Sequence, residues 1–189
     1  KLIDILNHDV ERIERLITDY SQMLKDEVAL SREKMKKINL KLIARSVVDD
    51  FNSIYEAKRG IKIILNDRNK QEEYLINGIE NRIEQIIANL LDNSISFSDN
   101  NKKILVEISK DEKERIILKV IDEGKGFKET STTKIFDRFY SNRPDAFGEH
   151  SGLGLNIVKN LVDLHGATIN ASNNIMQKGA NVEIVFPKA

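Results

Sequence analysis

"HSGLGLNIVKNLVDLHG", residues 150–166, decides how the chain is read. Gly152 and Gly154 bracket Leu153 directly before a run with Ile157, Val158, Leu161, Val162 and Leu164 at helical spacing, and Gly166 stops it. Glycine is roughly 1 kcal/mol worse than alanine inside a helix, so two of them delay a helix rather than build one. What they offer is backbone freedom and close approach, at a helix start where free N–H groups and a dipole favour an anion. The stretch therefore predicts a ligand-facing loop followed by a helix.

Working outward, six of the nine glycines lie between positions 124 and 166, together with Pro144 and the polar run 129–133. This loop-rich third is where function tends to concentrate on a rigid scaffold. "IDEGKGF" (121–127) sets Asp122 at a strand end, followed by Gly124 and Gly126. A carboxylate there can accept from an amine-bearing ring while the glycines let the chain bend around it; the same residues also make an ordinary turn. In "NLLDN" (89–93), Asn89 and Asn93 are four apart and share one helix face beside Leu90 and Leu91. Asparagine is a mediocre mid-helix residue. The pair either offers neutral oxygens to a hard cation such as magnesium or consists of hydrogen-bonded or solvated fillers.

Other nucleotide motifs are absent. There is no G-x-x-x-x-G-K-[ST], and neither glycine pair extends to G-x-G-x-x-G, because the third positions are Glu129 and Ile157. The H-R-D and D-F-G pair of serine/threonine kinases is missing too. His8 falls on a charged helix face, His150 in a loop, and His165 in a last helical turn, where its charge would suit the dipole.

The 189 residues allow one ordinary domain plus an appendage. Lysine plus arginine equals aspartate plus glutamate at 30 each, which argues against bulk attraction to nucleic acid or an anionic membrane. The absence of cysteine excludes disulfides, zinc–thiolate sites and thiol catalysis. No apolar run approaches the roughly 18 residues of a spanning helix, and no signal-peptide pattern is present, so the stretch reads as a soluble piece.

Ile3, Leu6, Val10, Ile13, Ile17, Tyr20 and Leu24 form a heptad seam, widened by Leu2, Leu16 and Met23. Such a stripe suits a helical bundle completed by another chain; an amphipathic helix packed on its own domain is the alternative. Residues 28–40 read as the fraying end of that helix and a hinge. A helix is predicted over 41–59 with Gly60 as its cap, a strand over 61–65, and a helix over about 80–98. "KILVEIS" and "RIILKVID" read as paired strands across "KDEKE", and "ATINAS" and "ANVEIVF" as a last pair ended by Pro187. Mostly antiparallel strands with helices on one face predict an α+β two-layer sandwich preceded by a long helix.

Taken in order, the pieces resemble the ATP-binding domain of bacterial sensor histidine kinases, of the GHKL type. "NLLDNSISFS" is similar to that family's N box, "DEGKGF" to its D-x-G-x-G box, "IFDRFYSNRP" to its F box and "SGLGLNIVKNLVDLHG" to its last glycine box. The resemblance runs from about residue 38 to 188, and the leading helix resembles the second helix of the dimerisation and phosphotransfer hairpin. It implies a dimerisation segment at 1–36 and an ATP-binding catalytic domain at 37–189.

It also implies roles. Asp122 would accept from the adenine amino group, with Gly124 and Gly126 admitting the base. Asn93 would hold Mg2+ directly, and Asn89 would support the metal or its waters. Ser151, Gly152, Leu153, Gly154 and Leu155 would wrap the phosphates. Phe136 and Phe139 would anchor a lid, and Arg138 or Arg143 would reach the γ-phosphate. The implied cofactors are ATP and Mg2+. The implied partners are an acceptor helix, a response regulator and a second copy of the chain, with no nucleic acid, in a cytoplasmic segment of a bacterial inner-membrane sensor.

Three positions depart from the family pattern. Ser96 stands where many members have lysine or arginine, and His150 where the glycine box often begins with glycine. "NHDVER" around His8 lacks the proline-bearing acceptor sequence, so the acceptor histidine is expected elsewhere. A serine kinase of the same fold and a dimerising scaffold with a vestigial site are the competing readings.

Overall fold

Strands in which buried and less buried positions alternate build the main sheet. β2 (Lys62–Asp67), β4 (Lys103–Lys110), β5 (Ile116–Asp122), β6 (Thr168–Asn173) and β7 (Ala180–Phe186) lie in the order β2-β4-β5-β7-β6. β2 runs parallel to β4 and every other pair is antiparallel. Ile104, Val106 and Ile108 of β4 are buried, as are Ile116, Leu118 and Val120 of β5 and Val182, Ile184 and Phe186 of β7. The intervening residues face the other way: Glu107, Lys119 and Glu183 share one cross-strand row, with Lys119 Nζ 2.8 Å from Glu183. This alternation is that of a sheet covered on one face only. The structure is a computed structural model, and it describes residues 34–67, 73–127, 132–137, 140, 152–174 and 178–189, with positions 10, 17 and 21.

Three helices cover the apolar face. α1 (Leu40–Arg59) buries Leu40, Ile43, Ala44, Val47 and Val48. Asn39 caps its start, accepting from Lys41 N at 3.1 Å, and Gly60 ends it at φ 64°, the left-handed cap expected there. α2 (Glu80–Phe97) buries Ile83, Ile86, Ile87, Leu90, Leu91 and Ile95, and α3 (Gly154–Leu164) buries Val158, Leu161 and Val162. Each such valine, leucine or isoleucine taken from water stabilises the fold by roughly 1.5–3 kcal/mol. α2 lies between the other two and touches β4 and β5, so it is the centre of the layer. The expected α+β two-layer sandwich is the observed one.

Two strands escape the sequence reading. β1 (Lys36–Asn39) and β3 (Leu75–Gly78) pair antiparallel as a separate ribbon, where 28–40 was expected to fray into a hinge. "KKIN" is four residues with one apolar member, too short to show a period of two. The ribbon is anchored where Leu40 N donates to Tyr74 O at 2.9 Å, and Tyr74 is buried under Lys110 Nζ, 5.8 Å from its ring centroid.

Side chains fix the edges of this arrangement. The Asn52 carboxamide pairs with both backbone groups of Ile63 on edge strand β2, donating to its carbonyl at 2.9 Å and accepting from its N–H at 2.8 Å. It fills one stretch of an edge that would otherwise template another strand. Arg59 donates to Ile95 O at 2.8 Å and Ser98 O at 2.7 Å, satisfying carbonyls at the C-terminal end of α2.

His165 differs from its expected role. It is 4% exposed, its Nδ1 lies 2.7 Å from Leu161 O, and its Nε2 accepts from Ile79 N at 3.1 Å. That pattern requires a neutral ring with the proton on Nδ1, and burial lowers its pKa accordingly. The imidazole is a staple from the end of α3 to the start of α2, not a cation serving a helix dipole.

Val10 and Ile17, seven apart in the heptad seam, are helical and exposed. Most of that leading helix, including His8, lies outside the described residues. Among the described residues no helix is long and apolar enough to cross a membrane.

Candidate nucleotide-binding site

α2 is two-sided. Its isoleucine and leucine stripe enters the core, while Asn89 and Asn93 stand half-buried on the neighbouring face. The start of α3 comes down onto that face. A Cβ built on Gly154 would lie 3.7 Å from Asn89 Oδ1 and 4.0 Å from Asn93 Nδ2. Gly152 has φ 70°, a left-handed conformation that side chains other than glycine's rarely adopt. Leu153 is buried and α3 begins at Gly154, with no side-chain hydrogen bond capping its N-terminus among the described residues. The first-turn N–H groups of such a helix suit an anion. Two sequence segments some 60 residues apart thus meet, amide oxygens beside a helix start.

Asp122 forms the second half. It ends β5, is 5% exposed, and its Oδ1 accepts from Gly124 N and from Ala180 N, each at 2.9 Å. Burial raises its pKa, opposed by those two backbone bonds and by a hydrogen bond from the Ser94 hydroxyl. With Oδ1 engaged by backbone, the carboxylate plane is set, and its other lone pairs remain for the serine and for a ligand amine. Ser94 is one residue after Asn93, so the asparagine face and the carboxylate meet at one helix.

The glycines around Asp122 are required by close packing. A Cβ on Gly124 would stand 2.6 Å from Phe97 O at the end of α2, and one on Gly126 (φ 73°) 2.6 Å from Asn173 Oδ1. Gly179 is tightest: its φ is 145°, and a Cβ there would meet Asp122 O at 1.8 Å. Ser96 is buried, and its hydroxyl donates back to Asp92 O at 2.7 Å. Phe136 ends a 3-10 turn (Thr132–Phe136) half-buried against the core, and Asn156 of α3 donates to its carbonyl at 2.9 Å.

The structure therefore brings together Asn89, Asn93, Gly152, Leu153 and Gly154, with Leu155 in the first turn of α3, and joins them through α2 to Asp122, Gly124 and Gly126. Arg138, Phe139, Arg143, His150 and Ser151 lie outside the described residues. Sequence reading missed Ser94, Asn173, Gly179 and Ala180. Only Gly179 carried a signal, as a glycine at the foot of the last strand.

Among the described residues no three histidines or carboxylates cluster to hold a metal. A cation here would take amide oxygens and the ligand's own phosphates, the donor set suited to magnesium, which uses few protein ligands.

A one-faced sheet, an uncapped helix start over paired asparagines and a recessed carboxylate together define a nucleotide-binding module. The chain belongs to the histidine kinase-, DNA gyrase B- and HSP90-like ATPase family, whose model matches residues 78–189, and within it to the catalytic domains of bacterial sensor histidine kinases. It is 35% identical over 179 residues to the sensor protein ChvG of Rhizobium meliloti (strain 1021), covering 92% of this chain and 31% of that protein. It is 34% identical over 185 residues to ChvG of Agrobacterium fabrum (strain C58), covering 95% and 31%. The chain thus spans about a third of the length of these relatives. The catalytic domain of histidine kinase ThkA superposes with a TM-score of 0.71 at 25% identity, covering 82% of this chain and 99% of that one. ThkA in complex with the response regulator TrrA gives 0.72 at 23% identity, covering 100% and 51%.

Proposed function

We propose that this chain binds Mg–ATP and transfers the γ-phosphoryl group to a histidine on an acceptor helix, as the catalytic portion of a two-component sensor. The observation that carries this reading is the meeting on α2 of Gly154 with Asn89 and Asn93, and of Ser94 with Asp122.

Asp122 accepts the adenine amino group in a recessed, pre-oriented site. The backbone of Ser151, Gly152, Leu153, Gly154 and Leu155 supplies N–H groups to the phosphates. Asn93 offers its amide oxygen to Mg2+, and Asn89 supports the metal or its waters. Magnesium, when bound, neutralises charge on the phosphate oxygens. Phe136 and Phe139 would anchor a lid from which Arg138 or Arg143 reaches the γ-phosphoryl. The bond from γ-phosphorus to the bridging oxygen breaks as the imidazole nitrogen bonds to phosphorus, and ADP leaves. Catalysis of this kind is largely positioning and charge stabilisation.

The heptad seam, with Val10 and Ile17 exposed on a helix, supports residues 1–36 as a dimerisation segment before a catalytic domain at 37–189. A homodimer in a cytoplasmic segment of a bacterial sensor follows, with a response regulator as the next acceptor.

The test mixes the chain with Mg–ATP and a fragment carrying the acceptor helix of the same parent protein. Label should appear on the fragment, acid-labile and alkali-stable, as phosphohistidine is. Acid-stable label would instead mean a serine kinase, and no label a scaffold.

A further inference from the structure

Asn173 ends β6 directly opposite Ala180, the first residue of β7. The two members of this rung grip opposite ends of one loop. Ala180 N donates to Asp122 Oδ1 at 2.9 Å, at the loop's beginning. Asn173 holds its end: Oδ1 accepts from Phe127 N at 2.6 Å, and Nδ2 donates to Phe127 O at 2.9 Å. A carboxamide that engages both backbone groups of one residue substitutes for a neighbouring strand, as Asn52 does for Ile63. The two cases differ in what they hold. Ile63 is already in register with Ile104 of β4, whereas Phe127 lies beyond the end of β5.

Gly126 belongs to the same device. Its φ of 73° turns the chain toward β6, and a Cβ there would stand 2.6 Å from Asn173 Oδ1. A side chain at 126 would push the carboxamide off Phe127. The second glycine of "DEGKGF" is therefore needed so that the loop can be gripped, quite apart from any approach of a base.

We propose that Asn173 is a positioning residue of the base pocket, fixing the 123–127 loop so that Asp122 and Gly124 meet the ring in one geometry. The proposal rests on the reading that Asp122 binds adenine. It makes the β6–β7 hairpin, which carries no residue of the four family boxes, part of the apparatus that sets nucleotide affinity. Because the effect is on the base pocket, it falls on ground-state binding and not on the phosphoryl step.

The experiment compares Asn173→Ala, Asn173→Asp and Asp122→Asn with the unaltered chain. Adenosine and ATP binding are measured by calorimetry, the Phe127 amide is followed by hydrogen exchange, and transfer to the acceptor fragment is measured at saturating ATP. Loss of two exposed hydrogen bonds predicts that Asn173→Ala weakens adenosine and ATP alike, by about 2- to 10-fold. Transfer at saturation stays unchanged while Phe127 exchanges faster. Asn173→Asp keeps an acceptor for the Phe127 N–H but sets a carboxylate oxygen against the Phe127 carbonyl, so it too weakens both ligands. Adenosine binding untouched in both Asn173 variants, with Asp122→Asn defective, would overturn the positioning role alone. Adenosine binding untouched in Asp122→Asn as well would sink the base-binding reading and this role with it. Slower transfer at saturation with unchanged adenosine affinity would make Asn173 a general structural residue and also overturn the proposal.

Discussion

Replacing Asp122 with asparagine should separate nucleotide affinity from stability in opposite directions. In the folded chain the carboxylate is 5% exposed, and burial dominates the rise in its pKa. The folded state therefore binds protons more readily than the unfolded chain. The charged form costs stability above the ordinary value of 3.8, and acidification through the raised value relieves that cost. Asparagine removes the buried charge and keeps an oxygen for the N–H groups of Gly124 and Ala180. Weaker neutral hydrogen bonds offset part of the relief, so the melting temperature should match or exceed that of the unaltered chain. Affinity should fall, because an amide NH2 now faces an amine donor. Loss of a charge-assisted bond in a recessed site is worth about 1.5–3 kcal/mol, or roughly 10- to 150-fold in ATP affinity. Calorimetric titration with ATP and with adenosine, beside a thermal melt, reads both effects. Unchanged ATP affinity would refute the base contact. A melting temperature lowered in step with affinity would refute the claim that Asp122 is held at the expense of stability.

Asn93→Ala should weaken magnesium-dependent ATP binding and abolish transfer, while adenosine, which carries no phosphate, binds as before; equal losses for both ligands would assign Asn93 to folding. Burial depresses the His165 pKa below 6.5, so stability from the neutral ring is complete above that value and declines as pH falls through the depressed folded value. Urea unfolding at stepped pH should therefore show a steeper loss below pH ~6.5 than His165→Gln does, by at most about 1.4 kcal/mol per pH unit, and matching slopes would contradict the neutral staple. Ile13→Asp with Ile17→Asp should give a monomer that still binds nucleotide, and an unaltered chain that sediments as a monomer would undo the bundle reading of the heptad seam.

What could be read in advance depended on how locally each feature is encoded. β4, β5 and β7 are runs of seven or eight residues rich in isoleucine and valine, the composition that marks a strand. Asn89 and Asn93 stood out as mediocre mid-helix residues and Gly152 and Gly154 as poor helix starters, whereas Asp122 and its glycines stood out only by their order with the other boxes. β1 and β3 are four residues each, below the length at which a period declares itself. His165 misled because its binding partner, Ile79 N, is 86 residues away, and nothing near position 165 foretells burial of both ring nitrogens. Asn173 was silent for the same reason, its partner being 46 residues distant. An asparagine before a polar turn is unremarkable until the turn is folded back on "DEGKGF".

The position of the site follows from the two faces of α2. One stripe of that helix is core, and residues of its other faces meet the glycine-box helix through Asn89 and Asn93 and the carboxylate through Ser94. At its end Phe97 O bears on Gly124, and Arg59 holds the carbonyls of Ile95 and Ser98. A shift of α2 along its axis would therefore alter the glycine-box side and the carboxylate side of the site together. The core isoleucines that resist such a shift, Ile83, Ile86 and Ile87, are all essentially inaccessible to solvent. Close-packed interiors yield little to small displacements. The distance between the carboxylate and the paired asparagines is thus set by the same packing that holds the domain together, with no separate element needed to keep the two halves of the site in register.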